Sequence, residues 1–525
     1  DGVAGLGAGP GAASLRVGRV GFRRAYGWGL GLTPSRPSPK AAPMVDVRPV
    51  GYVIGQLLAV FGLAMLVPMT LDLWEENGHW IVFLESAAVT FLIGVGMALA
   101  CANAPRARLS LQQTFLLTTG VWFVLPIFAA LPFWAGATEA RAVDAFFEAM
   151  SGLTTTGSTV FTGLETLPRG LLLWRGMLQW FGGIGVIVVA MVFLPELKIG
   201  GMQIFRSEGF DTFGKILPRA TQIAGSISVI YLGITCACAL AYAGAGMEPF
   251  DAIVHSMTTV ATGGFANTDA SFSAFDPSVQ YVAVVFMALA ALPFVRFVQL
   301  AAGTAQPLLR DSQVRLFFGI AAVLVALMVG VRLLDQGQLS EAAFRASLFN
   351  SVSILTGTGY ASVDYMQWGS LAIVILFFAG LIGGCAGSTA CSIKVFRYQL
   401  LFKAILMQIR QIHSPHGIFA IRYDGRRVGP DVLSSVMAFF VVFVVSIGVL
   451  SVLLGMTGLD FTTSLSGAAT ALANVGPGLG DTIGPAGSFA SINDTAKWLL
   501  AAGMLVGRLE LMVVYALFTL QFWRR

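Results

Sequence analysis

Charge is scarce in this sequence. Only 11% of its 525 residues are Asp, Glu, Lys or Arg, while 56% are hydrophobic, and the mean hydropathy is +0.78. A soluble domain has no use for that much apolar surface, so the chain reads as a polytopic membrane protein. Histidine is rarer still: His79, His255, His413 and His416 form no ligand cluster. The five cysteines are odd in number, and Cys236-x-Cys238 lacks metal-ligand spacing and a partner pair. They read as small buried hydrophobes. There is no Walker A loop and no Ser/His/Asp grouping, and "GGIG" at 182–185 lies within an apolar run as a packing cluster. These absences exclude hydrolytic and redox chemistry, so the chain is not read as an enzyme and any ATP or NAD dependence is assigned to a partner.

The formal charge of +5 is concentrated at one end. Residues 1–43 hold six basic residues against Asp1, which leaves 26 of each sign in the rest. The pI of about 9.0 therefore says nothing about nucleic acid. This Gly/Ala/Arg/Pro segment lacks the apolar core of a signal peptide. Met44 then opens "MVDVRPVGYVIGQLL" as a natural start would. Residues 1–43 are expected to be a disordered extension outside the fold.

Apolar runs fall roughly at 50–70, 80–102, 113–134, 171–195, 216–244, 279–302, 316–334, 369–395, 432–456 and 495–521. A spanning helix needs about 20 apolar residues, so ten spans are expected. Basic residues follow the even-numbered spans: Arg106 and Arg108, then Lys198 to Arg219, Arg310 and Arg315, Lys403 to Arg427, and Arg524 with Arg525. The positive-inside rule puts these segments and both termini in the cytoplasm.

Four odd-numbered exits are unlike ordinary loops. They read "DAFFEAMSGLTTTGSTV", "DAIVHSMTTVATGGFANTD", "AFRASLFNSVSILTGTGYASVD" and "DFTTSLSGAATALANVGPGLGD". Each has an apolar stretch too short to span, then turns to Ser, Thr and Gly around one glycine. Those glycines are Gly157, Gly263, Gly359 and Gly476, at intervals of 106, 96 and 117 residues. An internal repeat of this kind outranks any single motif. A segment that enters a membrane and returns leaves backbone groups unpaired, which is tolerated only along a water-filled path. Four such loops around one axis offer rings of carbonyl oxygens that can replace a cation's hydration shell. The third loop, "TGTGYAS", comes close to the TVGYG filter of potassium channels. The expected ion-binding set is Thr155, Thr156, Gly157, Ala261, Thr262, Gly263, Gly357, Thr358, Gly359, Asn474, Val475 and Gly476.

These loops, with "WRGMLQWFGGIGVIVVAMVFLPELKIGGMQIFRSEG", "LPFVRFVQL", "DSQVRLFF", "GGCAGSTACSIKVFR" and "GRLELMVV", make residues 44–525 resemble the TrkH family of bacterial potassium uptake. The resemblance implies an all-α fold with two extra N-terminal spans, then four membrane–pore-loop–membrane repeats with pseudo-fourfold symmetry around one pore. The expected boundaries are 44–110 for the extra pair, then 111–212, 213–310, 311–428 and 429–525 for the repeats. It also implies K+ as the transported ion and no covalent cofactor. The implied setting is the bacterial inner membrane, with a homodimer and a cytosolic, TrkA-like nucleotide-binding regulator. In the family, glycine at the filter position goes with potassium selectivity; here all four are glycine. The fourth loop departs from Thr-x-Gly by placing Asn474 and Val475 before Gly476, as the family's fourth loop does.

Within the eighth run, "GGCAGSTACS" (383–392) is small and polar. Gly383, Gly384, Gly387, Ser388, Thr389 and Ser392 favour an unwound intramembrane segment over simple close packing, and this matches the family's gating loop. Arg508 lies at the middle of the last run, where a charge is costly. As the family implies, it is read as lying in the pore cavity against the carbonyls of this loop, with a structural salt bridge to a carboxylate such as Glu196 or Glu510 as the alternative. Lys394 and Lys198 are expected to snorkel at span ends, and Arg175 and Arg296 to be structural. Two rival functions stand beside a potassium pore: a potassium/proton or potassium/sodium symporter, and a sodium-permeable relative.

Overall fold

The computed structural model describes residues 45–104, 109–189, 200–202, 220–337 and 340–523. The 1–43 extension, Glu196, Lys198, most of the 198–219 loop and the terminal Arg524 and Arg525 lie outside the described residues. Helix dominates, as it must where no water is at hand to satisfy backbone groups. Among the described residues seven helices are long and apolar enough to cross a membrane: Arg48–Trp74, Trp80–Ala100, Leu111–Trp134, Arg169–Val188, Ala224–Gly244, Ser312–Leu334 and Pro430–Gly455. Their outer faces remain apolar. Val441, Val444, Val445, Val449 and Val452 of one such helix are all more than half exposed. That is the pattern of a helix whose solvent is lipid.

Local signals set the helix ends. Ser110 and Gln113 form a capping box at the start of Leu111–Ala129. Asp311 accepts from Gln313 N at the start of Ser312–Gln336. The first two spans pack closely because Gly55, Gly62 and Gly94 face the partner's backbone, the small-residue contact common between membrane helices.

The expected ten spans are not all continuous helices. The run 279–302 is a pair, Pro277–Ala290 and Phe294–Ala301, bent by 93° at the break. Pro293 supplies no N–H there, and Phe294 N donates instead to Gly387 O at 3.0 Å. The run 369–395 is helical over Ser370–Gly380 and resumes helix only at Val395. The run 495–521 stops at Arg508, passes Glu510 and Leu511 with φ of 56° and 48°, and resumes over Met512–Leu517. One further departure from an all-helical chain is a small antiparallel hairpin, which pairs Arg422 with Arg427 and Tyr423 with Arg426.

Between the spans stand four short helices: Ala142–Leu153, Pro249–Val260, Glu341–Thr356 and Phe461–Ala473. Each carries polar residues at its start. Asp144 and Asp251 lie in first turns, while Ser340 and Asp460 accept from Ala343 N and Thr463 N at 3.1 Å each. Each helix then runs into a buried, non-helical segment.

The packing of the first two spans is testable. In Gly94→Ala the new methyl carbon would stand 2.5 Å from Ala59 N, whereas at Gly96 nothing lies within 4 Å. Overpacking of this kind costs about 1–3 kcal/mol. Thermal unfolding in detergent should therefore show a lowered midpoint for Gly94→Ala and none for Gly96→Ala.

Candidate functional site

Each short helix ends on a left-handed residue: Thr155, Thr262, Gly357 and Asn474, with φ of 51°, 50°, 73° and 51°. The next residue turns its N–H back to the helix in the same way every time. Thr156 N donates to Ser151 O, Gly263 N to Thr258 O, Thr358 N to Ser353 O and Val475 N to Thr470 O, at 2.8–3.2 Å. A second positive-φ residue follows: Gly157, Gly264, Gly359 and Gly476, with φ of 86°, 82°, 82° and 106°.

This pattern corrects the register of the second loop. Gly264, not Gly263, occupies the place of Gly157, Gly359 and Gly476; Gly263 corresponds to Thr156, and Ala261 to Thr154. The Thr-Gly pair suggested the other alignment. The common feature is a left-handed residue two positions before the glycine.

The four glycines also interlock. A methyl on Gly157 would overlap Gly263 O, one on Gly264 would overlap Thr358 O, and one on Gly359 would overlap Val475 O. The circle closes at Gly476, where the methyl would stand 2.7 Å from Thr156 O. Each loop thus presses its glycine against the carbonyl that precedes the next loop's glycine. Ser158 Oγ adds a hydrogen bond to Gly476 O at 2.7 Å, and Asn474 Nδ2 one to Thr156 Oγ1 at 2.9 Å. Any side chain would break this ring, and only glycine takes the required φ without strain. A cavity of about 180 Å³ borders all four glycines and Arg175.

The loops are held from behind by a device that sequence reasoning missed. Eight residues ahead of Thr156, Gly263 and Thr358 stand Glu148, His255 and Asn350. Each accepts the backbone N–H four residues beyond: Val160 N on Glu148 at 2.9 Å, Asn267 N on His255 Nε2 at 3.4 Å, Ser362 N on Asn350 at 3.2 Å. In the fourth helix that place is Gly467, and the neighbouring Ser466 Oγ takes Leu479 N at 2.9 Å. The signal available in the sequence was three hydrogen-bond acceptors at one spacing.

Arg175 has the structural role expected of it. It is buried, pairs with Glu148 at 2.9 Å, and donates to Ala266 O at 2.7 Å, tying the first loop to the second. Gln179 clamps the second loop from both sides, donating to Gly263 O at 2.6 Å and accepting from Phe265 N at 3.1 Å. Arg296 is likewise structural, paired with Asp311 at 2.8 Å, though it lies past the 93° break.

The 383–392 segment is non-helical, with Gly383, Gly387 and Ser392 at φ of 78°, 75° and 64°. It docks on the other broken span and on a short helix. Cys385 N donates to Ala291 O at 2.9 Å, Thr389 Oγ1 to Ala290 O at 3.0 Å, and Ser392 N to Ala473 O at 3.0 Å. Gly384 lies against Ala291 and Ala390, and Ser388 Oγ closes a turn onto Cys385 O at 2.7 Å.

Arg508 meets this segment, but through a thiol rather than carbonyls. Nη1 approaches Cys391 Sγ and Nη2 donates to Gly182 O at 3.0 Å. Cys391 Sγ in turn lies 3.8 Å from Thr155 Oγ1, so one buried cysteine connects the arginine to the first loop. Glu510 is paired with Arg397 instead. Lys394 does not snorkel. It is buried, and its Nζ donates to Ala390 O, because the chain reverses at its φ of 77° and turns it inward. Among the described residues no three His, Cys, Asp or Glu side chains gather where they could hold a metal.

The corrected register is testable. Gly264→Ala should lower the thermal midpoint by the equivalent of at least about 1–3 kcal/mol, the cost of a strained backbone residue. The three atoms nearest a methyl on Gly263 all belong to Gln179, two of them beyond its Cβ, so the cost of Gly263→Ala should be smaller when measured in a Gln179→Ala background, and that of Gly264→Ala should not.

Comparison with known proteins agrees on one family. A sequence model of the TrkH family, described as "Cation transport protein", matches residues 79–522. The Trk system potassium uptake protein TrkI of Halomonas elongata is 42% identical over 486 residues, covering 91% of this chain and 97% of that protein. The Trk system potassium uptake protein TrkH of Vibrio parahaemolyticus is 37% identical over 489 residues, 91% of this chain and 100% of that one. The crystal structure of the potassium transporter TrkH from Vibrio parahaemolyticus superposes with a TM-score of 0.84 at 34% identity, again over 91% and 100% of the two chains.

Proposed function

This chain belongs to the TrkH family of cation transport proteins, integral membrane proteins rather than enzymes, and from that premise we propose that it conducts potassium into the bacterial cytoplasm through the ring of four loops. The observation that carries this reading is the closed interlock of Gly157, Gly264, Gly359 and Gly476 with the carbonyls of Gly263, Thr358, Val475 and Thr156. Such a ring offers neutral oxygens from four sides at one level, the chemistry that replaces water around a bare monovalent cation. The filter set is the one expected from sequence, with Gly264 in place of Ala261 in the second loop.

Four repeats, 111–212, 213–310, 311–428 and 429–525, each supply one short helix and one loop, and 44–110 is the extra pair. Helix caps at Ser110, Asp311 and Gly429 support three of these boundaries. Beneath the filter, segment 383–392 and Arg508 form the gate. The segment is the steric part, and the arginine is a fixed charge in a low-dielectric path that a cation must pass.

The regulator is a cytosolic, TrkA-like nucleotide-binding protein, and the basic stretch 394–427 with its hairpin is where it docks. The working unit is a homodimer in the inner membrane with both termini in the cytoplasm. A channel-like pore is favoured over a symporter. Coupled transport relies on ionisable groups within the membrane, and here, among the described residues, the buried carboxylates of Glu148, Asp311 and Glu510 are each paired with an arginine and that of Asp72 with His79.

Ion-replacement currents in planar bilayers test the filter. The wild-type protein should pass K+ in preference to Na+, and Gly157→Ser should reduce that preference. An unchanged permeability ratio in Gly157→Ser would remove the loop from the filter. The gate is tested by tracer flux in liposomes without the regulator. Arg508→Ala, and deletion within 383–392, should raise resting flux several-fold while the ion preference survives. Flux at or below wild type in both folded variants would make the segment a packing element only.

A further inference from the structure

Beside Arg508 lies an apolar cavity of about 530 Å³ between the first span, the third span and Arg169–Val188. Leu57, Val60, Val121, Trp122, Phe181 and Gly182 are among its walls. Its two hydroxyls are already committed: Thr118 Oγ1 donates to Thr114 O and Ser228 Oγ to Ala224 O, at 2.8 Å each. Apart from these and the indole N–H of Trp122 the side chains lining it are apolar, so an ion or a polar solute would be stranded there.

The rim is open on the bilayer side, where Leu57 and Val60 on the spanning helix Arg48–Trp74 are 40% and 65% exposed. The inner end reaches the proposed gate. Gly182 O holds Arg508 Nη2, and the Trp122 ring centre lies 5.4 Å from Arg508 Cζ.

The fourth repeat has a counterpart, a cavity of about 490 Å³ lined by Val441, Val445, Leu472 and Val506. Leu472 stands three residues before Val475, as Leu153 of the first cavity stands three before Thr156. Gly507 packs on Leu472 O as Gly182 packs on Leu153 O. The opening thus recurs at one position of the repeat.

We propose that the hydrocarbon tail of a membrane phospholipid enters the first cavity from the bilayer and packs against Trp122 and Gly182, making lipid a structural part of the wall behind Arg508. The occupant follows from the medium. The rim lies among spanning helices, the substance that meets it is acyl chain, and leaving so large an apolar void empty forfeits its dispersion contacts. Occupancy by a tail needs no assumption about transport; only its bearing on the gate rests on the reading of Arg508 given above.

The test uses the full-length protein in phosphatidylcholine vesicles whose acyl chains carry bromine at mid-chain, a short-range quencher of tryptophan emission. The Trp122 signal is the difference between wild type and Trp122→Phe. Because Trp122 is only 6% exposed, chains in the surrounding bilayer are shielded from it, and a chain inside the cavity is not. Brominated lipid should remove most of the Trp122 signal. Filling the cavity with Val121→Phe, or separately with Val188→Phe, should restore it, with thermal unfolding confirming that each variant is folded. Absence of quenching in the wild type, as a second copy or a segment of the chain in the cavity would produce, overturns the proposal. Equal quenching in the folded, filled variants overturns it as well. No ion flux enters this measurement, so its outcome is independent of whether the pore and gate readings hold.

Discussion

Backbone that leaves a helix inside an apolar medium must find partners for its amides and carbonyls, and this single demand organises the centre of the molecule. Four stretches of chain leave their helices side by side there. Their amides are taken up by the helix behind and by one acceptor planted twelve residues before the amide it holds: Glu148, His255, Asn350 or, one place off, Ser466. Their carbonyls are packed by the glycine of the neighbouring loop. Each loop is thus a wall of the next. The buried Arg175–Glu148 pair belongs to the same demand. The Glu148 carboxylate accepts from Val160 N and Thr159 Oγ1 while the Arg175 guanidinium offsets charge beside it, and removing one partner of such a pair would leave an uncompensated buried charge.

Below the ring the same demand is met differently. Three of the spanning runs break, and the broken ends bond to one another rather than to water. Ala290 O and Ala291 O receive Thr389 and Cys385, and Ala473 O receives Ser392. Arg508 closes the third break onto Gly182 O and Cys391. Helices that look defective singly are complete together. Arg397, fully buried, does similar work at the far edge, holding Gly200 O, Ile393 O and Glu510.

Much of this was legible in the sequence, and the reason is periodic redundancy. Hydrophobic length marked the spans, and four Ser/Thr/Gly stretches at near-equal intervals marked the loops and eleven of the twelve positions around them. What failed, failed for stated reasons. The second loop slipped by one because "TGG" offers two glycines and only backbone dihedrals distinguish them. Ten spans were counted with a break foreseen only at 383–392, because mean hydropathy does not register the interruptions after Ala290 and Arg508. Lys394 was given an interfacial place because a lysine near a span end ordinarily has one; the reversal of the chain at that residue has no linear signature. Cys391 was read as a small hydrophobe, which it is by burial, and its position between Thr155 and Arg508 depends on three segments distant in sequence.

The four acceptors behind the loops are an acid, an imidazole, an amide and a borrowed hydroxyl, and this inequality has a consequence for how the centre can vary. In an assembly of four identical chains one codon change alters all four walls at once, so every adjustment is large and symmetric. Here each wall is encoded separately. A change at Asn350 would leave Glu148 and His255 as they are, and the ring can be loosened on one side while three remain stiff. The ring can therefore be adjusted in quarter steps.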